Sequence, residues 1–156
     1  MTPGQEKERT LLVSQIKDGT VIDHITAGEA LNVLTILGIA GTAPESLSIA
    51  TNVASRKEGR KDILKIERRE LRKEEVDRIA LIAPHATINI IRDYEVVEKK
   101  GVTIPRVIRG VVKCPNPGCI SNSNEPIESS FEVLAKGLHC CYCDWMITRG
   151  IASHII

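Results

Sequence analysis

The spacing of four cysteines limits the fold of this chain more than any other feature of its sequence. Four residues separate Cys114 from Cys119, twenty separate Cys119 from Cys140, and two separate Cys140 from Cys143. Two pairs with this spacing can place four thiolates tetrahedrally around one zinc ion, each sulfur about 2.3 Å from the metal. Because four sulfurs fill the coordination sphere, no position remains for water or substrate, and the predicted ion is structural.

The residues around these cysteines favour two metal-binding turns. Pro115, Pro117 and Gly118 are typical of a tight turn, and Gly137 eases the approach of the chain to the second pair. The alternative is that the cysteines are buried thiols or form two disulfides. The odd total of five cysteines favours zinc, as does the polar stretch at residues 1–9, from which we expect no secretory leader.

One cysteine of the five is left over. Cys140 keeps the two-residue gap to Cys143 that a metal-binding turn requires, whereas Cys141 would leave a gap of one residue. We therefore predict Cys140 as the ligand and Cys141 as the spare thiol.

Charge and aromatic content argue against a nucleic-acid partner. The chain has 21 Lys and Arg against 20 Asp and Glu, so its net charge of +1 creates no global field for a polyanion. Aromatic residues make up only 3 %, too few for a platform that stacks bases. The apolar runs are shorter than the roughly 20 residues that a membrane span needs. We therefore expect a cytoplasmic protein that contacts neither nucleic acid nor membrane.

The first hundred residues alternate between strand and helix patterns. Strand-like runs occupy residues 20–25, 47–53, 62–67, 86–91 and 94–97. A short apolar run at residues 11–16 precedes them. Thr26 and Glu29 form a predicted capping box for a first helix, and residues 71–82 predict a second, amphipathic helix. The order strand, helix, strand, strand, helix, strand predicts a ferredoxin-like antiparallel sheet with both helices on one face.

The predicted fold class is therefore α+β with two domains. A ferredoxin-like domain at residues 1–100 is followed by a small all-β, zinc-ribbon-like domain at residues 101–156, with a charged boundary before Gly101. So small a β-module buries too little apolar surface to fold alone, so zinc would supply the missing free energy. The uncovered sheet face is left for a ligand, a partner or a second copy of the chain.

Polar residues in the predicted sheet indicate binding more than catalysis. Asp23 and His24 could orient a general base, but no nucleophile or second acid stands near them in the sequence. Lys65 and Lys99 can contact phosphate oxygens, although exposed lysines are usually only solvated. Asn89 could bond to a base edge or face solvent. The residues alone indicate a zinc-containing binding protein. A zinc-ribbon nucleic-acid-binding protein and a small enzyme are the alternatives.

Several segments resemble the regulatory chain of aspartate carbamoyltransferase. In the first domain they are residues 17–25, 59–67, 83–89 and 93–97. In the second, the cysteines together with Pro115, Asn116, Ile120 and Ser121 resemble that family's zinc module. The resemblance covers about residues 10–147. It implies a chain that is not an enzyme but forms homodimers, which join trimers of a separate catalytic chain through the zinc module.

The resemblance also implies a nucleotide site on the first domain. In that family CTP generally inhibits and ATP generally activates carbamoyl transfer to aspartate, the first committed step of pyrimidine biosynthesis, and UTP can act alongside CTP. The positions that match the family's site are Val13, Ile16, Val21, Asp23, His24, Ile63, Lys65, Asn89, Ile91, Tyr94, Val96 and Lys99.

The chemistry of these residues agrees with the implied roles. Lys65 and Lys99 can neutralise phosphate oxygens, and Asp23 can accept from ribose hydroxyls. His24 would touch a phosphate. The backbone around residues 13, 16, 91 and 94 would contact the base edge.

Overall fold

The computed structural model describes residues 15–39 and 46–156, which fall into two compact units. The first unit, called the sheet unit below, ends at Val102. The second, called the four-cysteine unit, is Thr103–Ile156. In the described residues no helix is both long and apolar enough to cross a bilayer.

Among its described residues, the sheet unit has one antiparallel sheet of five strands and two helices. In chain order its elements are β1 (Gly19–Thr26), α1 (Ala30–Ile36), β2 (Leu47–Ser55), β3 (Gly59–Glu67), α2 (Lys73–Ile82), β4 (Thr87–Arg92) and β5 (Glu95–Gly101). The strand order is β2-β3-β1-β4-β5. The first four strands follow the ferredoxin-like plan, and β5 extends the sheet at one edge. The α+β prediction is thus confirmed.

Burial separates the two faces of this sheet. Ile22 of β1, Leu64 and Ile66 of β3 are completely buried, whereas the residues next to each along the strand are half-buried. Because side chains alternate between faces along a strand, the buried set shares one face. Val33 of α1 and Ile79 of α2 are also fully buried and complete the core on that face. No helix of the described residues lies on the opposite face, which is called the open face below.

A buried carboxylate holds the start of α1. Asp62 of β3 has no exposed surface, and its Oδ2 accepts from the N–H groups of Gly28 and Ala30, each at 3.0 Å. Its Oδ1 accepts from the N–H of Asn52 at 2.7 Å. The predicted capping box of Thr26 is therefore wrong. Thr26 ends β1, and the side chain of the N-cap residue makes no capping hydrogen bond to α1. A carboxylate from a neighbouring strand satisfies the free N–H groups instead.

The turn between β4 and β5 also differs from the prediction. Asp93 and Tyr94 have φ angles of 53° and 68°, so they form a left-handed turn, and the strand starts at Glu95 instead of at residue 94. The predicted strand-like run at residues 11–16 lies mostly outside the described residues. Its last member, Ile16, is buried and belongs to no strand.

The four-cysteine unit is built on a second, smaller sheet. Its elements are β6 (Val107–Arg109), β7 (Ser130–Leu134), β8 (Gly137–Cys140) and β9 (Met146–Ile147), in that order across an antiparallel sheet, with 3-10 turns at Ile120–Asn122 and Ile151–His154. Phe131, Leu138 and Val112 form its small buried core. Gly137 has φ of +148°, and a Cβ there would fall on the carbonyl oxygen of Ile147. Only glycine fits this position.

Candidate metal centre and ligand-binding face

The structure brings the four predicted ligands together in the four-cysteine unit. The sulfur atoms of Cys114, Cys119, Cys140 and Cys143 all lie within 4.8 Å of one another. The Cys114 and Cys143 sulfurs are 3.6 Å apart, and those of Cys119 and Cys140 are 3.7 Å apart. Four sulfurs around a zinc ion at about 2.3 Å would stand roughly 3.8 Å from one another. The donor set therefore fits a tetrahedral metal ion.

Main-chain N–H groups point at the sulfur atoms. Cys114 sulfur accepts from the N–H of Asn116, and Cys140 sulfur accepts from the N–H groups of Tyr142 and Cys143. The first turn is closed by Asn116, whose side chain accepts from the Gly118 N–H at 3.0 Å. Hydrogen bonds of this kind disperse negative charge on a sulfur and stabilise a thiolate that binds a metal.

Burial and hydrogen bonding act in opposite directions on the thiols of this cluster. Burial raises the pKa of Cys114 to about 12, and burial also raises the pKa of Cys140. At Cys143 a hydrogen bond from the side chain of Asn116 lowers the pKa to about 7. Crowding four thiolates in one buried cluster is costly unless a positive ion neutralises them. The four residues could therefore hold one metal ion together.

The fifth cysteine points away from this cluster. Cys141 is exposed, while its neighbour Cys140 is completely buried. The N–H of Cys141 donates to the carbonyl of Ser130 on β7 at 2.9 Å, which continues the sheet past the end of β8. Neighbouring residues of a strand face opposite ways, so only Cys140 can turn inward.

The strand register aligns predicted ligand residues across the open face of the sheet unit. Val21 of β1 is opposite both Lys65 of β3 and Asn89 of β4, and Asn89 is opposite Lys99 of β5. This row crosses four strands, and its two ends are lysines. Asn89 donates from Nδ2 to the carbonyl of Val21 at 3.2 Å, which fixes the amide within the row.

The two lysines of the row differ in environment. Lys65 is half-buried, and burial lowers its pKa, because the charged ammonium is partly removed from water. Lys99 is exposed. Strands are about 4.8 Å apart, so the three strand intervals between the two lysines place their backbones about 14 Å from each other. An elongated anion can therefore contact both.

An irregularity in β1 brings two further predicted residues beside this row. The pairing of β1 with β3 shifts between Ile22 and Ile25, which leaves Asp23 and His24 in a bulge, with His24 at φ 56°. The Asp23 carboxylate accepts from the His24 N–H at 2.7 Å and pairs with the Lys61 ammonium at 2.8 Å. Burial acts to raise the pKa of Asp23, but Lys61 and His24 outweigh it, and the pKa is lowered.

Other predicted residues lie around the row. Ile63 neighbours Lys65 on the open face and is half-buried, and Ile91 of β4 is buried. Val96 and Tyr94 are more than half exposed. Ile16, which precedes β1, is buried, and Val13 lies outside the described residues.

The sequence did not single out two residues of this region. Lys61 joins this region through its ion pair with Asp23, a contact that depends on the β1 bulge and has no signal in the strand pattern. Asp62 stands at a core position of an alternating strand, between Lys61 and Ile63 and two residues before the buried Leu64. A charged residue on the apolar face of a strand is the signal that could have identified it, because such a group must be satisfied locally.

Comparisons with known proteins cover both units. Residues 11–103 match the model of the aspartate carbamoyltransferase regulatory chain, allosteric domain. Residues 106–153 match the model of the aspartate carbamoyltransferase regulatory chain, metal binding domain.

Curated relatives match nearly the whole chain. An aspartate carbamoyltransferase regulatory chain of Methanoculleus marisnigri is 72 % identical over 152 residues, covering 97 % of this chain and 98 % of its own length. The regulatory chains of Methanosphaerula palustris and Methanospirillum hungatei are 66 % and 60 % identical, covering 94 % and 97 % of this chain and 94 % and 98 % of their own lengths.

Proposed function

Because this chain belongs to the family of aspartate carbamoyltransferase regulatory chains, we propose that it binds CTP and ATP on the open face of its sheet unit. Family membership makes it a non-catalytic subunit with an allosteric domain and a metal-binding domain. It implies a catalytic chain as partner. We further propose that it binds zinc, assembles with the catalytic chain and is cytoplasmic.

The row of aligned residues on the open face carries the nucleotide proposal. Lys65 and Lys99 supply positive charge at its two ends, and Asn89 supplies an amide between them. Phosphate oxygens form strong, charge-assisted hydrogen bonds with lysine. The partial burial of Lys65 strengthens its attraction for a phosphate, because less water competes there.

Roles follow for the residues beside the row. Asp23 is held by Lys61 at one oxygen and retains acceptor capacity for ribose hydroxyls. His24, in the same bulge, would contact a phosphate. The main chain around Ile16, Ile91 and Tyr94 would contact the base. The site residues proposed here are those that the sequence predicted, with Lys61 added to them.

The four-cysteine unit would bind zinc and form the contact with the catalytic chain. Ile120, Tyr142 and Trp145 are each about half exposed, and they stand on the two metal-binding turns. Exposed large apolar side chains are a common feature of protein interfaces. A metal ion would hold both turns in place, so the interface would depend on it.

Dimers of this chain would form through the sheet unit. Strand β5 is an edge strand, and every one of its residues is exposed. An edge strand presents unpaired main-chain groups that a second copy can bind. Effector binding would then regulate the catalytic trimers by differential affinity for two quaternary states, a coupling of typically 1 to 3 kcal/mol.

Replacement of either lysine of the row should weaken nucleotide binding. In calorimetric titration of the full chain loaded with zinc, Lys65→Ala and Lys99→Ala should each raise the Kd for CTP and for ATP by about 10- to 100-fold. This range corresponds to the loss of one charge-assisted hydrogen bond. CTP and ATP should compete for one site.

The matched control is Lys73→Ala. Lys73 is an exposed lysine on α2, where its ammonium stands 3.7 Å from Asp77, and it does not belong to the open face. This variant should bind both nucleotides as the wild type does. An absence of competition, or equal affinities in all three variants, would place the effector site somewhere other than the open face.

A further inference from the structure

The two halves of the four-cysteine cluster are held in different ways. Cys140 ends β8, where its N–H donates to the carbonyl of Trp145 at 2.8 Å and its carbonyl accepts from the N–H of Asp144 at 3.1 Å. The strand and these main-chain bonds fix the second pair of cysteines. Residues 114–119, called the first metal-binding turn below, belong to no helix or strand. The shape of this turn therefore depends more on side chains.

The side chain of Asn122 bonds to the first metal-binding turn twice. Its Nδ2 donates to the carbonyl of Cys114 at 2.8 Å and to the carbonyl of Asn116 at 2.7 Å. Both partners are carbonyl oxygens, which only accept, so the nitrogen of the amide must face them. An amide nitrogen carries two hydrogens, and both are used here. One side chain thus fixes the start and the middle of the turn to each other.

The 3-10 turn that contains Asn122 also contacts the second cysteine of the pair. The N–H of Asn122 donates to the carbonyl of Cys119 at 2.9 Å, and the Ser121 hydroxyl lies 3.1 Å from the Cys119 sulfur. The N–H of Cys119 donates to the carbonyl of Asn116 at 3.1 Å, the same oxygen that the Asn122 amide contacts. Hydrogen bonds therefore close a ring around the segment from Cys114 to Asn122.

We propose that Asn122 is a positioning residue that holds Cys114 and Cys119 at the separation that a shared metal ion requires. It acts through the main chain of the turn and is not itself a ligand. A turn that is already closed has less conformational freedom to lose when the ion binds. Groups that orient metal ligands typically change metal affinity by about 10- to 100-fold. This inference rests on the proposed zinc site.

The test compares two substitutions at Asn122 with the same two at a neighbouring asparagine. Asn122→Ala removes both donated bonds, and Asn122→Asp keeps nearly the same shape but puts an oxygen that cannot donate opposite the two carbonyls. Asn124→Ala and Asn124→Asp are the matched controls, because Asn124 is exposed and lies only two residues further along the chain. The Kd for zinc of each full chain is measured by competition with a chromophoric chelator.

We expect both Asn122 variants to bind zinc about 10- to 100-fold more weakly than the wild type. Asn122→Asp should have the larger effect, because a carboxylate is repelled by the carbonyl oxygens that it faces. The Asn124 variants should keep the wild-type Kd within about twofold. Asn122 is half-buried, so water can reach the carbonyls that it leaves, and the variants should fold at saturating zinc. Circular dichroism checks this, and Asn122→Ser replaces Asn122→Ala if that variant does not fold.

A second measurement distinguishes positioning of one pair from support of the whole unit. The chains are treated with iodoacetamide at saturating zinc, and the alkylation rate of each cysteine is followed by mass spectrometry. In Asn122→Ala, Cys114 and Cys119 should react faster than in the wild type, because only the first metal-binding turn is loosened. Cys140 and Cys143 should keep their wild-type rates, because main-chain bonds hold their turn.

Three results would overturn the inference. Wild-type zinc affinity in both Asn122 variants, or equal losses in the Asn124 variants, would show that the Asn122 amide does not position the ligands. Weaker zinc binding with the same acceleration of alkylation at all four cysteines would show that Asn122 only stabilises the unit as a whole. If the wild type itself binds no zinc, the proposed metal site fails, and the inference fails with it.

Discussion

Removal of the metal is expected to unfold the four-cysteine unit and to change the emission of Trp145, the single tryptophan of the chain. The main chain of Trp145 belongs to the metal site, because its N–H donates to the Cys143 sulfur and its carbonyl accepts from the Cys140 N–H at 2.8 Å. Structural zinc in small modules contributes about 10 to 16 kcal/mol of binding free energy that is also folding free energy. A small core built around Phe131 cannot replace it.

Two cysteine variants distinguish a predicted metal ligand from an exposed thiol that lies next to one. Cys114→Ser should lose stoichiometric zinc and show the red-shifted emission of a solvated Trp145 even in zinc-containing buffer. Cys141→Ser, which replaces the exposed thiol one residue from a ligand, should keep both the metal and the native emission. Zinc content measured by atomic absorption would contradict the assignment if Cys114→Ser retained one ion per chain or Cys141→Ser lost it.

Asp62→Ala is expected to destabilise the sheet unit by about 2 to 4 kcal/mol. The substitution leaves the N–H groups of Gly28, Ala30 and Asn52 without their acceptor, and each buried unsatisfied group costs roughly 1 to 3 kcal/mol. Water can replace the carboxylate at Gly28 and Asn52, which are exposed, so the sum stays below three full penalties. Asp62→Asn should cost about half as much, because one oxygen remains.

Urea unfolding of the zinc-loaded chain, followed by far-UV circular dichroism, measures this loss. Asp77→Asn, a substitution of the same kind on the surface of α2, should change the free energy of unfolding by less than about 0.5 kcal/mol. Equal urea midpoints for Asp62→Asn and Asp77→Asn would show that the buried carboxylate does not stabilise the start of α1. Asp62→Ala should also weaken CTP binding. Asp62 pairs with Ile25, directly after the β1 bulge that contains Asp23, so its loss should disturb the position of Asp23.

The cluster of four cysteines could be predicted because its signal is local. Each pair of cysteines lies within one turn, and the two-residue gap before Cys143 distinguishes Cys140 from Cys141 without knowledge of the fold. The structure adds the reason: Cys140 ends β8 at a buried position of its alternating pattern, whereas Cys141 is exposed.

The fold of the sheet unit followed from its alternating patterns, but its helix cap did not. Thr26 and Glu29 have the spacing of a capping box, yet the cap comes from Asp62, which is more than thirty residues away in the chain. Local spacing cannot reveal a partner on another strand. The contact of Lys61 with Asp23 depends in the same way on a bulge that only the three-dimensional register fixes.

The central claim is that this chain makes a catalytic chain responsive to nucleotides. The most direct measurement is the rate of carbamoyl transfer by the catalytic chain from the same genome, with and without CTP, in the presence of no regulatory chain, the wild type or Lys65→Ala. We expect CTP to change the rate only with the wild type, while Lys65→Ala assembles normally and transmits a much weaker response. A catalytic chain that responds to CTP by itself, or an assembly with the wild type that does not respond at all, would contradict this account.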